Sequence, residues 1–500
     1  MLAGTGTAHD AADVSSRSMA DWLPGNGSAD RDLLAELDRM SARGRDLGRN
    51  EALTSSAYQT YRDNIVGHVL RLSAQPDYRL LGRDKDWADQ WGNGVEGWFR
   101  SWADTTECDA ARTQNLLALT HQALVGCFMN GDALALPHWL PRADSLWSTR
   151  LQVVESDRLR TPPMLQHRAD IRGGVEIDAM SAPVAYWIRK THPGDKDPGL
   201  DEFERVPAFT PWGRRRVIHL YDKERSGQSR GKPIVASVMK DLRMAGHYAQ
   251  AELKAAVVNS LIAAFIESDL PPETVGELFS SETLNPLSYW KTAFDPTRAP
   301  KLEGGAVLPL PIGAHVAAFN PGRPATAFGT FMDSVIRRIA AGLNIPYELL
   351  LKDFSKTNYS SARAALLEAW RYFNGRRRWL ADQWLTPIDE LWFEEAVNAG
   401  RIDAPDFYAN RYAWTRCRWV FAGRGWVDPV KEAQAAQIRM EIGVSTLEQE
   451  CAEQGQDWED ILEQQARERD RRIALKLPLA ADAVPLDTTP ADPPAPNATP

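Results

Sequence analysis

The chain has 500 residues, 43% of them hydrophobic, with 58 Lys and Arg against 67 Asp and Glu, a formal charge of -9 and a pI near 5.6. That length and apolar content build a large core in roughly two to four domains. The acidic balance excludes a protein that holds duplex DNA through overall basicity, because counterion release needs Lys and Arg gathered in one place; any nucleic-acid contact is local.

Residues 1–30 are rich in Gly, Ala, Ser and Asp without periodicity and read as a flexible tail. From 31 to 67 the pattern predicts two helices, the first with Leu33, Leu34, Leu37 and Met40 at helical spacing. Short β-branched and aromatic runs at 150–156, 173–190 and 214–222 predict antiparallel strands with a hairpin around Asp178 to Ser181. From Pro233 to Ile266 a helical pattern runs for about nine turns, on the order of 50 Å. A Pro- and Gly-rich stretch at 268–325 reads as short strands and turns, followed by a helix near 327–343 and a loop from 344. The chain is helical again after 430, with ten acids against two arginines in 441–470, and residues 476–500 form a proline-rich tail expected to be disordered.

The segment "NYSSARAALLEAWRYFNGRRRWL", 358–380, joins a helix start, an apolar stripe and three consecutive arginines. With Asn358 or Ser360 as cap, Arg363, Arg371, Asn374 and Arg378 share an arc of roughly 80°. Leu366, Ala369, Trp370, Phe373 and Leu380 share the adjacent arc, so the helix packs on one side and presents guanidinium groups on the other. Arg377 falls inside the apolar arc and must snorkel, pair, or mark where the helix leaves its neighbours. Residues 335–379 hold nine basic residues (Arg337, Arg338, Lys352, Lys356, Arg363, Arg371, Arg376, Arg377, Arg378) against three acids, a net +6 in an acidic chain. Two readings stand: a cationic DNA surface, or a solvated face with salt bridges to neighbours.

Catalytic motifs give no foothold. "GNGVEG" (92–97) matches a dinucleotide fingerprint by letter but follows a polar segment instead of a strand. "GQSRGKP" (227–233) is one residue short of a phosphate loop, and Pro233 stands where magnesium chemistry needs Ser or Thr. The nine histidines lack ligand spacing, and His219 reads as a structural histidine with a satisfied ring. Asp84, Asp86 and Asp89, or Asp457, Glu459 and Asp460, would have to hold the metal of a DNA nuclease, the alternative function; helix-end acids explain both clusters. Cys108, Cys127, Cys417 and Cys451 form no CxxC pair and read as reduced, mostly buried thiols. The run at 255–266 is far short of a bilayer span, so the chain is expected to be soluble, with no membrane partner, and no cofactor or metal is expected.

Seven stretches in order, among them "LQVVESDRL" (151–159), "VIHLYDKERSGQSRGKP" (217–233), "NIPYELLLKDFSKTNYSSARAALLEAWRYF" (344–373) and "WVDPVKEAQA" (426–435), resemble the lambda-type portal proteins of tailed bacteriophages over roughly residues 40–470. The resemblance implies a mainly helical α+β fold, the phage portal fold, with a β-containing wing, long stem helices, a small α/β clip and a helical crown. By chain order it implies wing 31–235, first stem helix 236–267, clip 268–325, second stem helix 326–343, channel loop 344–360, a helical return to the wing over 361–429, and crown 430–475. It further implies a closed ring of about twelve copies at one capsid vertex of the virion, assembled in the host cytoplasm. The implied partners are the major capsid and scaffold proteins, the terminase large subunit, a head-completion protein and non-specific double-stranded DNA. No catalysis is implied, and Lys352, Lys356, Arg363, Arg371 and Arg378 are the implied DNA-channel candidates.

Overall fold

A computed structural model describes residues 10–14, 17–195, 202–261, 265–266, 308–309, 328–355, 357–425 and 429–477. In chain order its elements are α1 (Ala29–Asn50), α2 (Ala52–Tyr61), β1 (Leu70–Ala74), α3 (Lys85–Ala103), α4 (Leu116–Asn130), β2 (Asp132–Trp139), β3 (Thr149–Val154), β4 (Ile171–Arg172), β5 (Val175–Ile177), β6 (Pro183–Arg189), β7 (Phe203–Pro207) and β8 (Ile218–Tyr221). There follow α5 (Met239–Leu261), the short pair β9 (Phe265–Ile266) and β10 (Leu308–Pro309), then α6 (Phe328–Gly342), α7 (Tyr347–Leu351), α8 (Tyr359–Leu380), α9 (Thr386–Asn398) and α10 (Arg411–Trp414). The chain ends with β11 (Cys417–Phe421), α11 (Pro429–Glu441), α12 (Leu447–Glu453) and α13 (Trp458–Ala474). It is a mainly helical α+β chain in two compact units, Met1–Arg62 with Thr105–Glu395 and Asp63–Asp104 with Ala396–Pro500.

In the first unit β3, β2 and β8 form one antiparallel sheet and β4 to β7 another. Their inner faces share one apolar core around Leu134, Val154, Val175, Tyr186, Ile188 and Val217. The expected strands at 150–156, 173–190 and 214–222 are all present. The hairpin turn is closed by the Asp178 and Ala182 backbones at 3.0 Å, with Ser181 at a φ of 63°. The pattern gave no sign of β2, since "DALALPHW" is buried along its first five residues and carries Pro137, so neither alternation nor β-propensity marks it.

Several boundaries differ from the sequence reading. Ser28 caps α1, accepting the Arg31 amide, so the helix starts at Ala29 inside the segment assigned to the tail, and Asp30 is buried. Helix α5 begins at Met239, not near Pro233, because Val235 to Val238 close single turns; its 23 residues span about 35 Å. "GNGVEG" lies inside α3, which removes the dinucleotide reading outright. The expected clip lies outside the described residues apart from β10, as do the tail beyond Leu477 and residues 426–428.

"GQSRGKP" turns out to be a structural knot. Arg230 is buried, and each of its five guanidinium N–H groups has an acceptor: both carboxylate oxygens of Asp132 and the carbonyls of Ser156, Leu159 and Gly173. His219 adds a ring nitrogen to Asp132 at 3.1 Å and meets Tyr186 edge-on at 5.6 Å, the satisfied histidine expected from sequence. Burial alone would raise the Asp132 carboxyl, but Arg230 and His219 overcome it and hold the group below the usual carboxylate range. Burial pulls the His219 imidazole down against the Asp132 hydrogen bond, so it is neutral and donates from Nε2.

In the second unit β1 and β11 pair antiparallel, Leu72 opposite Trp419, and α3 packs on them. Glu96 of α3 is buried and accepts the Ala74 amide at 2.8 Å. Burial pushes its carboxyl up to about 7, with Asp457 and Glu459 adding to the rise.

Arg230→Met strands a buried carboxylate and is expected to cost ~3–5 kcal/mol in thermal or denaturant unfolding. The depressed His219 and Asp132 groups make unfolding take up protons, so the first unit loses stability as pH falls through about 6.5 and again below about 4. Glu96 has the opposite sign: its raised carboxyl weakens the second unit as pH rises from about 4.5 through 7. Glu96→Gln, which keeps an acceptor for Ala74, should raise the calorimetric melting temperature at pH 8 and remove that slope.

Candidate nucleic-acid interface

Helix α8 starts where the sequence places it. Asn358 caps it by accepting the Ser361 amide at 2.8 Å, and its first turn carries no acid. Ala369, Phe373 and Leu380 are buried and Leu366 and Trp370 half-buried, while Arg363, Arg371, Asn374 and Arg378 on the next arc are all exposed. The two-faced helix read from the 3.6-residue period is therefore the helix that forms.

Its anchorage lies in the C-terminal half. Tyr372 stands 6.2 Å from Tyr61 of α2, and Trp379 stacks on Phe128 of α4 at 6.4 Å. Arg376 binds Asp222, the residue after β8, at 2.6 Å and lies over the Tyr372 and Trp379 rings. Arg377, expected to snorkel or pair, lies over Trp370 at 4.8 Å; burial pulls its guanidinium down to about 10, still charged at neutral pH. Residues 360–368 of the N-terminal half include none that is buried.

The preceding segment is more ordered than the loop expected over 344–360. Pro346 precedes the one-and-a-half turns of α7, and Lys352 ends them in the left-handed region at a φ of 57°. Ser56 donates to the Leu350 carbonyl at 2.8 Å and Tyr61 to that of Leu343, tying the segment to α2. Arg337 lies over the Tyr347 ring at 4.3 Å, and Arg338 pairs with Asp241 of α5 at 3.1 Å.

The nine cations thus sort by chemistry. Arg376 and Arg377 serve packing; the place of Arg377 on the apolar arc beside Trp370 was legible from spacing, whereas the partner of Arg376, Asp222, lies far upstream and needed the fold. Arg371 and Arg378 pair locally with Glu368 at 3.1 Å and Asp382 at 3.4 Å, but all four groups are well exposed, and such pairs are worth only ~0–1 kcal/mol. Lys352 and Arg363 are exposed and have no ion-pair partner among the described residues; Lys356 lies outside them. A helix N-terminus with its positive dipole end, no first-turn acid and two uncommitted cations nearby is suited to phosphate.

A sequence model of the phage portal protein family, lambda family, matches residues 15–377. The chain belongs to the lambda family of phage portal proteins. Its relatives include portal protein B of Escherichia phage lambda, 32% identical over 480 residues that cover 92% of this chain and 89% of that one. The portal protein of Escherichia phage N15 is 31% identical over 473 residues, covering 91% and 88%. A probable portal protein of Halomonas phage phiHAP-1 is 26% identical over 469 residues, covering 90% and 84%.

In this portal-family chain the two acid clusters act as helix ends. Asp84 caps α3 through the Trp87 amide at 2.8 Å, Asp457 caps α13 through the Glu459 amide at 2.9 Å, and Asp460 pairs with Arg71 at 2.8 Å. Among the described residues no group of three or more His, Cys, Asp or Glu is arranged to hold a metal, and no helix is long and apolar enough to cross a membrane.

Phe373, fully buried under α8, should cost ~3–5 kcal/mol when cut to Ala, measured by chemical denaturation. Trp370→Ala, at a half-buried position, should cost less.

Proposed function

We propose that this chain is one subunit of a closed homo-oligomeric ring at a single capsid vertex, a passive conduit for double-stranded DNA during packaging and ejection. Similarity to portal protein B of phage lambda along nearly the whole of both chains is the observation that carries this reading. The domain map goes with it: wing 31–235, stem helices 236–267 and 326–343, clip 268–325, channel loop 344–360, return to the wing over 361–429 and crown 430–475. The ring docks the terminase large subunit, head-completion protein, and major capsid and scaffold proteins, and works in the virion after assembly in the host cytoplasm. It has no catalytic step of its own.

Within this reading Lys352, Lys356, Arg363, Arg371 and Arg378 face the duplex. Sequence-independent contact with a moving polyanion requires few and weak cations, since each phosphate neutralised adds a salt-dependent binding term. Five such cations per subunit, of which Arg371 and Arg378 are locally paired, meet that requirement better when repeated by rotation than a basic lining would.

Negative-stain electron microscopy of purified protein is expected to give annular particles; a monomer of 55.8 kDa at high concentration would sink the reading. Arg363→Glu combined with Arg371→Glu should leave the annuli intact and impair DNA packaging in an in vitro assay. Loss of the annuli instead would assign both arginines to contacts between subunits.

A further inference from the structure

The second unit contains a cavity of about 280 Å³ between β1, α3, β11, α12 and α13, and every residue lining it belongs to that unit. Glu96 of α3 lines the cavity and is only 6% exposed. Its Oε1 accepts the Ala74 amide at 2.8 Å. Among the described residues its Oε2 meets only the Arg100 guanidinium, at 3.8 Å, too long for a hydrogen bond. A carboxylate this deeply buried normally has its acceptor positions filled, so Glu96 keeps capacity in reserve for a donor that enters the cavity.

Four more acids lie on the wall and come from different elements: Asp89 from α3, Glu448 from α12, and Asp457 and Glu459 from the start of α13. Lys85, Arg416 and Arg418 are the bases there, and two of them are engaged, Arg416 with Asp77 at 3.5 Å and Arg418 with Glu448 at 3.2 Å. Five acids against three bases leave a net charge of -2 when Glu96 is ionised. The cavity therefore favours a cation. A bare metal ion is a poor fit, because among the described residues no three acidic groups are arranged to hold one. A molecule with two positive ends reaches acids on several elements, offers N–H donors to Glu96, and lays its chain along Ala88, Val420 and Ala452.

We propose that this cavity binds a small alkyl dication, with a guanidinium or ammonium group at each end of a short chain, and that Glu96 receives one of the charged heads. The site is complete within one chain and does not depend on the ring.

Binding is coupled to a proton. Burial, Asp457 and Glu459 raise the Glu96 carboxyl to about 7 against the Ala74 amide and Arg100, so the empty site is about half protonated at neutral pH and a bound cation expels that proton. Lys85, Asp89, Glu448, Arg416 and Arg418 are the remaining charges on the wall.

Isothermal titration calorimetry of the full chain with agmatine, which carries a guanidinium and an ammonium on a butyl chain, tests this. Affinity should be about tenfold higher at pH 8 than at pH 6, and titrations at pH 7 in buffers of different ionisation enthalpy should show about half a proton released per ligand bound. Both ligand charges persist across that range, so the slope belongs to the protein. Glu96→Gln, which should fold at least as stably as the wild type at pH 8, should bind roughly tenfold more weakly there and show neither the slope nor the proton release. Wild-type affinity and slope in Glu96→Gln, tighter binding of magnesium or inorganic phosphate than of agmatine, or no saturable heat at millimolar agmatine would each overturn the proposal.

Discussion

One buried ion pair governs the placement of much else in the first unit. Asp132 and Arg230 are both almost completely buried, a costly arrangement unless every hydrogen-bonding group is matched, and here all five guanidinium donors are. The acceptors come from the start of β2, from the chain after β3 and from the β4–β5 turn, so one side chain fixes elements scattered over a hundred residues. A lysine at 230 has three donors and no fork, and leaves carbonyls bare. The close approach this requires explains the flanking glycines: a Cβ on Gly131, whose φ is 106°, would stand 2.5 Å from the Gly231 carbonyl oxygen.

From that knot a physical path leads to the cationic helix. Asp132 pairs with Tyr221 across the sheet, so the network that fixes β2 also fixes the end of β8. The next residue, Asp222, holds Arg376, and Arg376 sits between the Tyr372 and Trp379 rings that seat α8 against α2 and α4. The rotation of α8 is thereby set from its C-terminal half. Because the same helix carries Arg363 more than three turns before Arg376, the direction in which its guanidinium points is decided by a core interaction it never touches.

What the sequence made legible follows from which signals are local. The α8 stripe, the Asn358 cap and the hairpin at Asp178 are encoded within a few residues, and each was readable. The β1–β11 pairing joins Leu72 to Trp419, and nothing in either strand names the other. Strand β2 was hidden for a different reason: a central strand buried on both faces has no alternation to read. The role of "GQSRGKP" was equally hidden, since an arginine among polar residues reads as surface until the fold supplies Asp132. The cationic group was identifiable, and so was the odd place of Arg377 on the apolar arc; assigning Arg376 to packing required knowing where Asp222 stands.

That division bears on how a channel handles a polyanion. Were all nine cations of the 335–379 segment exposed, each subunit would add several phosphate contacts, and a ring would multiply them into a salt-dependent grip. Folding withdraws Arg376 and Arg377 into aromatic contacts, while Arg337 over Tyr347 and Arg338 against Asp241 stay exposed but partnered. Glu368 and Asp382 then temper Arg371 and Arg378 without burying them. In the proposed conduit, residual charge carried on long side chains next to a helix N-terminus favours brief contacts with successive phosphates over a fixed one. An acidic chain and a locally cationic helix are therefore compatible for a specific reason: the fold draws Arg376 and Arg377 into aromatic contacts and gives Arg337, Arg338, Arg371 and Arg378 partners within the chain.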